Sequence, residues 1–143
     1  MRQAPDCILI GEIRDKETIG AAMAYAQTGH LCLSTLHANN SYHALNRIIN
    51  FFPLENRDAL YLDLAVSLKA IISQRLVRKP DGTRIPTVEI LLNTRYISEL
   101  IEHGQIPAIK EAMEKSMAPG SQTFEQDLFR LYKADTITLD EAL

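Results

Sequence analysis

Four apolar residues in succession open the run "CILIGEI", residues 7–13, before Gly11 and Glu12. Its short length and β-branched content predict a buried strand. Over residues 15–29, Ile19, Ala22, Met23 and Ala26 recur at i, i+3, i+4 and i+7, the stripe of an amphipathic helix. Asp15 is placed to cap that helix, Glu17 and Thr18 lie in its first turn, and Gly29 stops it. "HLCLSTLHA", residues 30–38, starts with apolar–polar alternation and predicts a second strand. Strand, helix and strand in this order make a βαβ unit, whose two strands run parallel.

"NNSYHALNRIINFF" begins with capping residues, reads as a helix and ends at Pro53. "LENRDALYLDLAVSLKAIISQ", residues 54–74, predicts a second, longer helix. "QRLVRKPDGTRIPTVEILLN" predicts a hairpin, because Asp-Gly between two strand-like runs favours a tight turn. Beyond it the pattern is helical: "TRYISELIEHG", "IPAIKEAMEKS", a break at "APGS", then "QTFEQDLFRLYKAD" and "TLDEAL". The pattern changes near residue 93, so the expected organisation is a mixed α/β part, 1–93, followed by a helical subdomain, 94–143. There are no internal repeats or low-complexity tracts.

Composition narrows the class. The chain has 143 residues, enough for one domain with a core, and is 46% hydrophobic and 23% charged. A net charge of -3 provides no basic field for nucleic acid or an acidic membrane surface. No apolar run reaches the ~18 residues of a membrane span, and "MRQAPDCILI" lacks the pattern of a signal peptide. Cys7 and Cys32 sit in apolar runs and read as reduced thiols of a cytoplasmic protein, with a bridge left open. A strand that starts this early, and looks this buried, reads as the middle of a parallel sheet. A fragment or truncated chain is therefore expected.

Ligands of open parallel sheets bind beyond the carboxyl ends of the strands. One such end carries Gly11 and Glu12, and the other Thr35, Leu36 and His37. If the strands are neighbours, Glu12 and His37 approach one crevice. A carboxylate there can hold a water on Mg²⁺ or polarise a water near a phosphate, and an imidazole can sense phosphate charge. The plainer alternatives are a Glu12 ion pair with Arg14 or a distant Arg, and a His37 hydrogen-bonded in its loop. His30, Cys32, His37 and His43 have no zinc-type pairing, although His30 and Cys32 would share a strand face. No nucleophile motif is present. Arg75, Arg78, Lys79 and Arg84 cluster around the hairpin as a solvated face, or alternatively as a subunit contact. The 143 residues contain no GxxxxGK[ST] phosphate loop.

Together "RQAPDCILIGEIRDKET", "TGHLCLSTLHANN", "RIINFFP" and "SQRLVRKPDG" resemble the C-terminal half of the type II/type IV secretion system ATPases. Within that family the resemblance is to the twitching-motility ATPases of type IV pili. It implies the later part of a RecA-like P-loop core, a parallel sheet plus hairpin, followed by helices. "APDCILIGEIRD" matches the Walker B segment, with Gly11 at the usual Asp position and Glu12 in the acidic role, supporting Mg²⁺ through water. "TGHLCLSTLHANN" matches the His box, which implies that His37 faces the γ-phosphate, with Thr35 beside it and His30 at the segment's other His. Arg14 and Asp15 fall within the Walker B match, where an ion pair, structural or between subunits, is implied. In the retraction branch an Ala-Ile-Arg-Asn-Leu-Ile motif occupies the stretch that here reads Tyr96, Ile97, Ser98, Glu99, Leu100, Ile101. Ser98 and Glu99 replace its Arg and Asn, which favours the sister twitching-motility branch.

The resemblance further implies ATP and Mg²⁺ as cofactors of the intact protein. Its phosphate loop, Asp box and a PAS-like domain would precede residue 1. It also implies a cytoplasmic homo-hexamer peripheral to the bacterial inner membrane, partnered by a related pilus motor ATPase and an inner-membrane pilus platform protein, without nucleic acid. Two other classes stay open: a non-hydrolysing structural paralogue docking on an active motor ring, and a nucleic-acid-driven RecA-like ATPase. The near-neutral charge weighs against the second.

Overall fold

The structure, a computed structural model, describes residues 5–116 and 118–143. The first residues of the "RQAPDCILIGEIRDKET" segment, 2–4, lie outside them. Strand β1 (Cys7–Glu12) pairs in parallel with β2 (Leu31–Thr35), joined by helix α1 (Lys16–Gln27). The βαβ unit thus forms as its periodicity requires. Asp15 caps α1: its carboxylate accepts from the Thr18 N–H at 2.8 Å, and the Thr18 hydroxyl returns to the Asp15 backbone N–H. These bonds to Thr18, the backbone one first, hold the Asp15 carboxyl below its ordinary range. Gly29 takes φ +94°, where a side chain would be strained, and turns the chain into β2.

The expectation that β1 is buried is corrected. Leu9 is 76% exposed, Leu31 and Leu33 are exposed beside it, Cys7 is exposed and Cys32 half-buried. The register pairs Cys7 with Leu31 and Leu9 with Leu33, so these residues share one face. Helix α1 packs on the strands, and Ile8 and Ile10 on the other face are half-buried. The reason is layer number: a two-stranded sheet with one helix against it covers only one of its faces.

Helix α2 (Ser41–Asn50) starts at Asn40, whose side chain accepts from the His43 N–H at 2.8 Å, and it buries Ala44, Leu45, Ile48 and Ile49. The single long helix expected over residues 54–74 is also corrected. The chain forms a 3-10 turn (Leu54–Asn56), helix α3 (Arg57–Ser67), and then strand β3 (Ala70–Arg78). Leu68 turns extended, and Ile71 and Ile72 pair with Leu91 and Ile90 of β4 (Arg84–Leu92). Cross-strand pairing of these β-branched residues overrides their helical spacing. Asn93 Nδ2 then donates to the Ala65 and Leu68 carbonyls, satisfying the end of α3.

After β4 come α4 (Arg95–Glu102), a 3-10 turn (Ile106–Ala108), α5 (Ile109–Glu114), α6 (Phe124–Lys133) and α7 (Leu139–Ala142). Residue 93 is the junction between hairpin and helices. One apolar cluster nevertheless joins Ile13 and Ile19 to Leu45, Leu64, Leu91, Ile101 and Met113. Gln122 adds an isolated antiparallel bridge to Ile90, so the helical segment also contributes to the hairpin's sheet.

Candidate functional site

The ends of β1 and β2 lie side by side, but not in simple register. Ile10 faces Ser34 and Glu12 faces Thr35, so Gly11 is an extra residue in β1, a bulge. Bulges re-aim the side chains that follow them. The Thr35 hydroxyl donates to the Gly11 carbonyl, and the Ile13 N–H donates to the Thr35 carbonyl at 2.8 Å, which pins the bulge on both sides. Glu12 is thereby delivered to His37, two residues past Thr35: Glu12 Oε1 stands 3.3 Å from His37 Nε2. Their side chains are 41% and 82% exposed, so the pair is open to a ligand or to water.

The loop carrying His37 runs beside α2. Leu36, His37, Ala38, Asn39, His43 and Arg47 line an open groove of about 850 Å³ that leads away from the pair. The site therefore joins one carboxylate, one imidazole and a groove of mixed polar and apolar lining. Such a set can orient a water and respond to an anion.

The remaining expected residues are distributed differently. Arg14 is largely exposed and lies 4.0 Å from Asp15, its ion-pair partner among the described residues. Asp15 serves as the helix cap. His30 precedes β2 instead of belonging to it, and its Nδ1 lies 3.0 Å from the Thr28 hydroxyl and 3.2 Å from the Tyr25 carbonyl. It thus shares no strand face with Cys32. Among the described residues no three His, Cys, Asp or Glu side chains converge as a metal cluster. Of the four basic residues around the hairpin, Arg75 lies over the Phe124 ring, 4.2 Å from its centroid, and Lys79 pairs with Asp81 at 3.1 Å.

Sequence reasoning passed over Glu89. It is buried on β4 and accepts from both the N–H and the hydroxyl of Ser41, at 2.7 Å each, directly after the His37 loop. The available signal was its position in "TVEIL", where strand alternation puts an acidic residue on the face of Thr87 and Leu91.

Residues 1–122 match the family described as type II/IV secretion system protein. The chain belongs to that family. Two relatives from Pseudomonas aeruginosa share much of the sequence. The type IV pilus ATPase PilU is 49% identical over 144 residues, covering 100% of this chain and 38% of the relative. The type IV pilus retraction ATPase PilT is 34% identical, covering 99% of this chain and 41% of the relative. The crystal structure of the pilus retraction motor PilT with bound ADP superposes with a TM-score of 0.87 at 37% identity. That match covers 99% of this chain and 40% of the solved one. Within the secretion-system family, then, this chain has the fold of the ATPases' C-terminal part and spans about two fifths of those relatives' length. Among the described residues no helix is long and apolar enough to cross a membrane.

Proposed function

We propose that this chain is part of a hexameric type IV pilus motor ATPase that couples ATP hydrolysis to removal of pilin during twitching. The observation that carries the reading is the convergence of Glu12 and His37 at two parallel strand ends, in a chain 49% identical to PilU. The 143 residues hold no phosphate loop, so the chain by itself does not hydrolyse ATP. The working unit is a homo-hexamer at the cytoplasmic side of the inner membrane, with a related motor ATPase and the pilus platform protein as partners. Residues 1–93 form the later part of the RecA-like core, and 94–143 the helical subdomain.

The donor set fits one corner of a nucleotide–Mg²⁺ site. A single half-exposed carboxylate, with no cluster of three metal-binding side chains among the described residues, suits a hold on Mg²⁺ through water, not a cage. When bound, ATP and Mg²⁺ supply the transferable phosphoryl group and neutralise its charge. Glu12 accepts a hydrogen bond from the water that attacks and orients it. His37 holds a proton at Nε2, toward Glu12 or toward phosphate oxygen, and so registers whether the γ-phosphate is present. Gly11 and Thr35 fix the strand ends so that the carboxylate and imidazole stay in reach. Arg14 reaches outward, to nucleotide or to a neighbouring subunit.

The test is ATP turnover by the intact protein. Glu12→Gln and His37→Ala each lower kcat on the order of 100-fold while nucleotide binding persists. Full turnover by either variant would refute these roles. A second reading, a non-hydrolysing paralogue docking on an active ring, has one observation in its favour. Where the retraction branch carries Arg, Ser98 turns inward and donates to the Ala65 carbonyl at 2.8 Å. Absence of turnover by the intact wild-type protein, with binding to an active motor, would establish that reading instead.

A further inference from the structure

The loop that bears His37 is held at two points by one face of the hairpin. Arg75 and Glu89 belong to that face, since Ser73 pairs with Glu89 and Arg75 with Thr87 across the two strands. Arg75 Nε donates to the Asn39 carbonyl at 3.2 Å. Glu89 Oε1 accepts from the Ser41 N–H and hydroxyl, each at 2.7 Å. These holds fall two and four residues after His37, with Asn40 as the α2 cap between them. The same hairpin is tied to the helices behind it. The Arg75 guanidinium stacks on Phe124, the first residue of α6. The Val88 N–H, next to Glu89, donates to Asp127 of α6 at 2.8 Å.

We infer that Arg75 and Glu89 are positioning residues that clamp the His37 loop and link its position to helix α6. Neither touches the Glu12–His37 pair. They act through Asn39 and Ser41 on where the imidazole stands. A buried carboxylate across two donors is stiff, and an Arg that both stacks and donates ties the loop to the helix beneath it. Any displacement of His37 on binding or release of an anion is thus passed to the hairpin and to α6. The inference rests on the reading of His37 as the phosphate-responsive residue.

The experiment is steady-state ATP turnover of the full-length protein carrying Glu89→Ala, Glu89→Gln, Arg75→Ala or His37→Ala. Loss of the clamp lowers kcat about tenfold with KM for ATP within about twofold, the usual scale for groups that orient a reacting residue. Glu89→Gln keeps an acceptor oxygen for Ser41 and retains most of the activity. If His37→Ala is inactive while Glu89→Ala and Arg75→Ala turn over normally, the clamp inference alone falls. If His37→Ala is fully active, the reading of the site falls first, and the clamp with it. Should Glu89→Ala fail to fold, Arg75→Ala decides, because the Arg75 side chain lies at the surface. Amide hydrogen exchange in Arg75→Ala should then quicken over residues 37–41 and stay unchanged in α1, and equal protection at both places would overturn the clamp.

Discussion

Asp127 offers the sharpest test of how hairpin and helices hold together. Its side chain is 1% exposed. It accepts from the Val88 N–H at 2.8 Å, the Thr87 hydroxyl at 3.1 Å and the Arg130 guanidinium at 2.7 Å. Burial pushes the Asp127 carboxyl up, but the Val88 N–H, Arg130 and Thr87 together outweigh it, and the net direction is down. In Asp127→Ala the buried Thr87 hydroxyl and the Val88 N–H lose their acceptor, at roughly 1–3 kcal/mol each. Arg130 is largely exposed and rehydrates at little cost. The expected loss is about 3 kcal/mol, while Asp127→Asn, which keeps an acceptor and loses the charge, costs about 1 kcal/mol. The sign with pH follows from the lowered carboxyl. Its contribution is present above the unfolded value of about 4 and is lost as pH falls through the folded value. Urea unfolding of wild type, Asp127→Ala and Asp127→Asn, at neutral and at acid pH, measures both effects. A loss below about 1 kcal/mol for Asp127→Ala, or a gap between wild type and Asp127→Asn that does not shrink on acidification, would refute the reasoning.

Two further predictions concern turns. Gly104 follows α4 at φ +67°, and a Cβ there would stand 3.0 Å from Tyr61 Cε2. Gly104→Ala therefore destabilises by about 1–2 kcal/mol in thermal or urea unfolding, and a neutral result would contradict the backbone argument. In the hairpin turn, the Thr83 hydroxyl, then the Thr83 N–H and Lys79, hold the Asp81 carboxyl down to about 2. NMR titration of Asp81 should find its midpoint there and find it raised in Thr83→Ala. The turn's added stability persists above the unfolded value and fades as pH falls toward 2.

Local signals were enough where one element could be recognised by its own spacing. The α1 stripe with Asp15 and Gly29 at its ends, the Asn40 cap and the Asp-Gly turn all formed as read, because caps and turns involve residues at most a few positions apart. The reading failed where a distant partner decided the outcome. Ile71 and Ile72 fit a helical stripe until β4 pairs with them. Cys7 and Leu9 carry the apolar character of a buried strand, yet burial depends on what covers the face, which no local pattern records.

The candidate site divides in the same way. By itself, the sequence determined the order of strand, helix and strand, and it put Glu12 and His37 at two strand ends as candidates for the chemistry. Only the tertiary structure decided that they meet. The Gly11 bulge shifts the register by one residue and sets Glu12 opposite Thr35, and such a shift depends on the pairing of two strands, not on the content of either. The hold of Glu89 on Ser41 spans 48 residues of chain. A buried carboxylate finds its donors through packing, and packing brings together residues whose separation in sequence carries no trace of their contact.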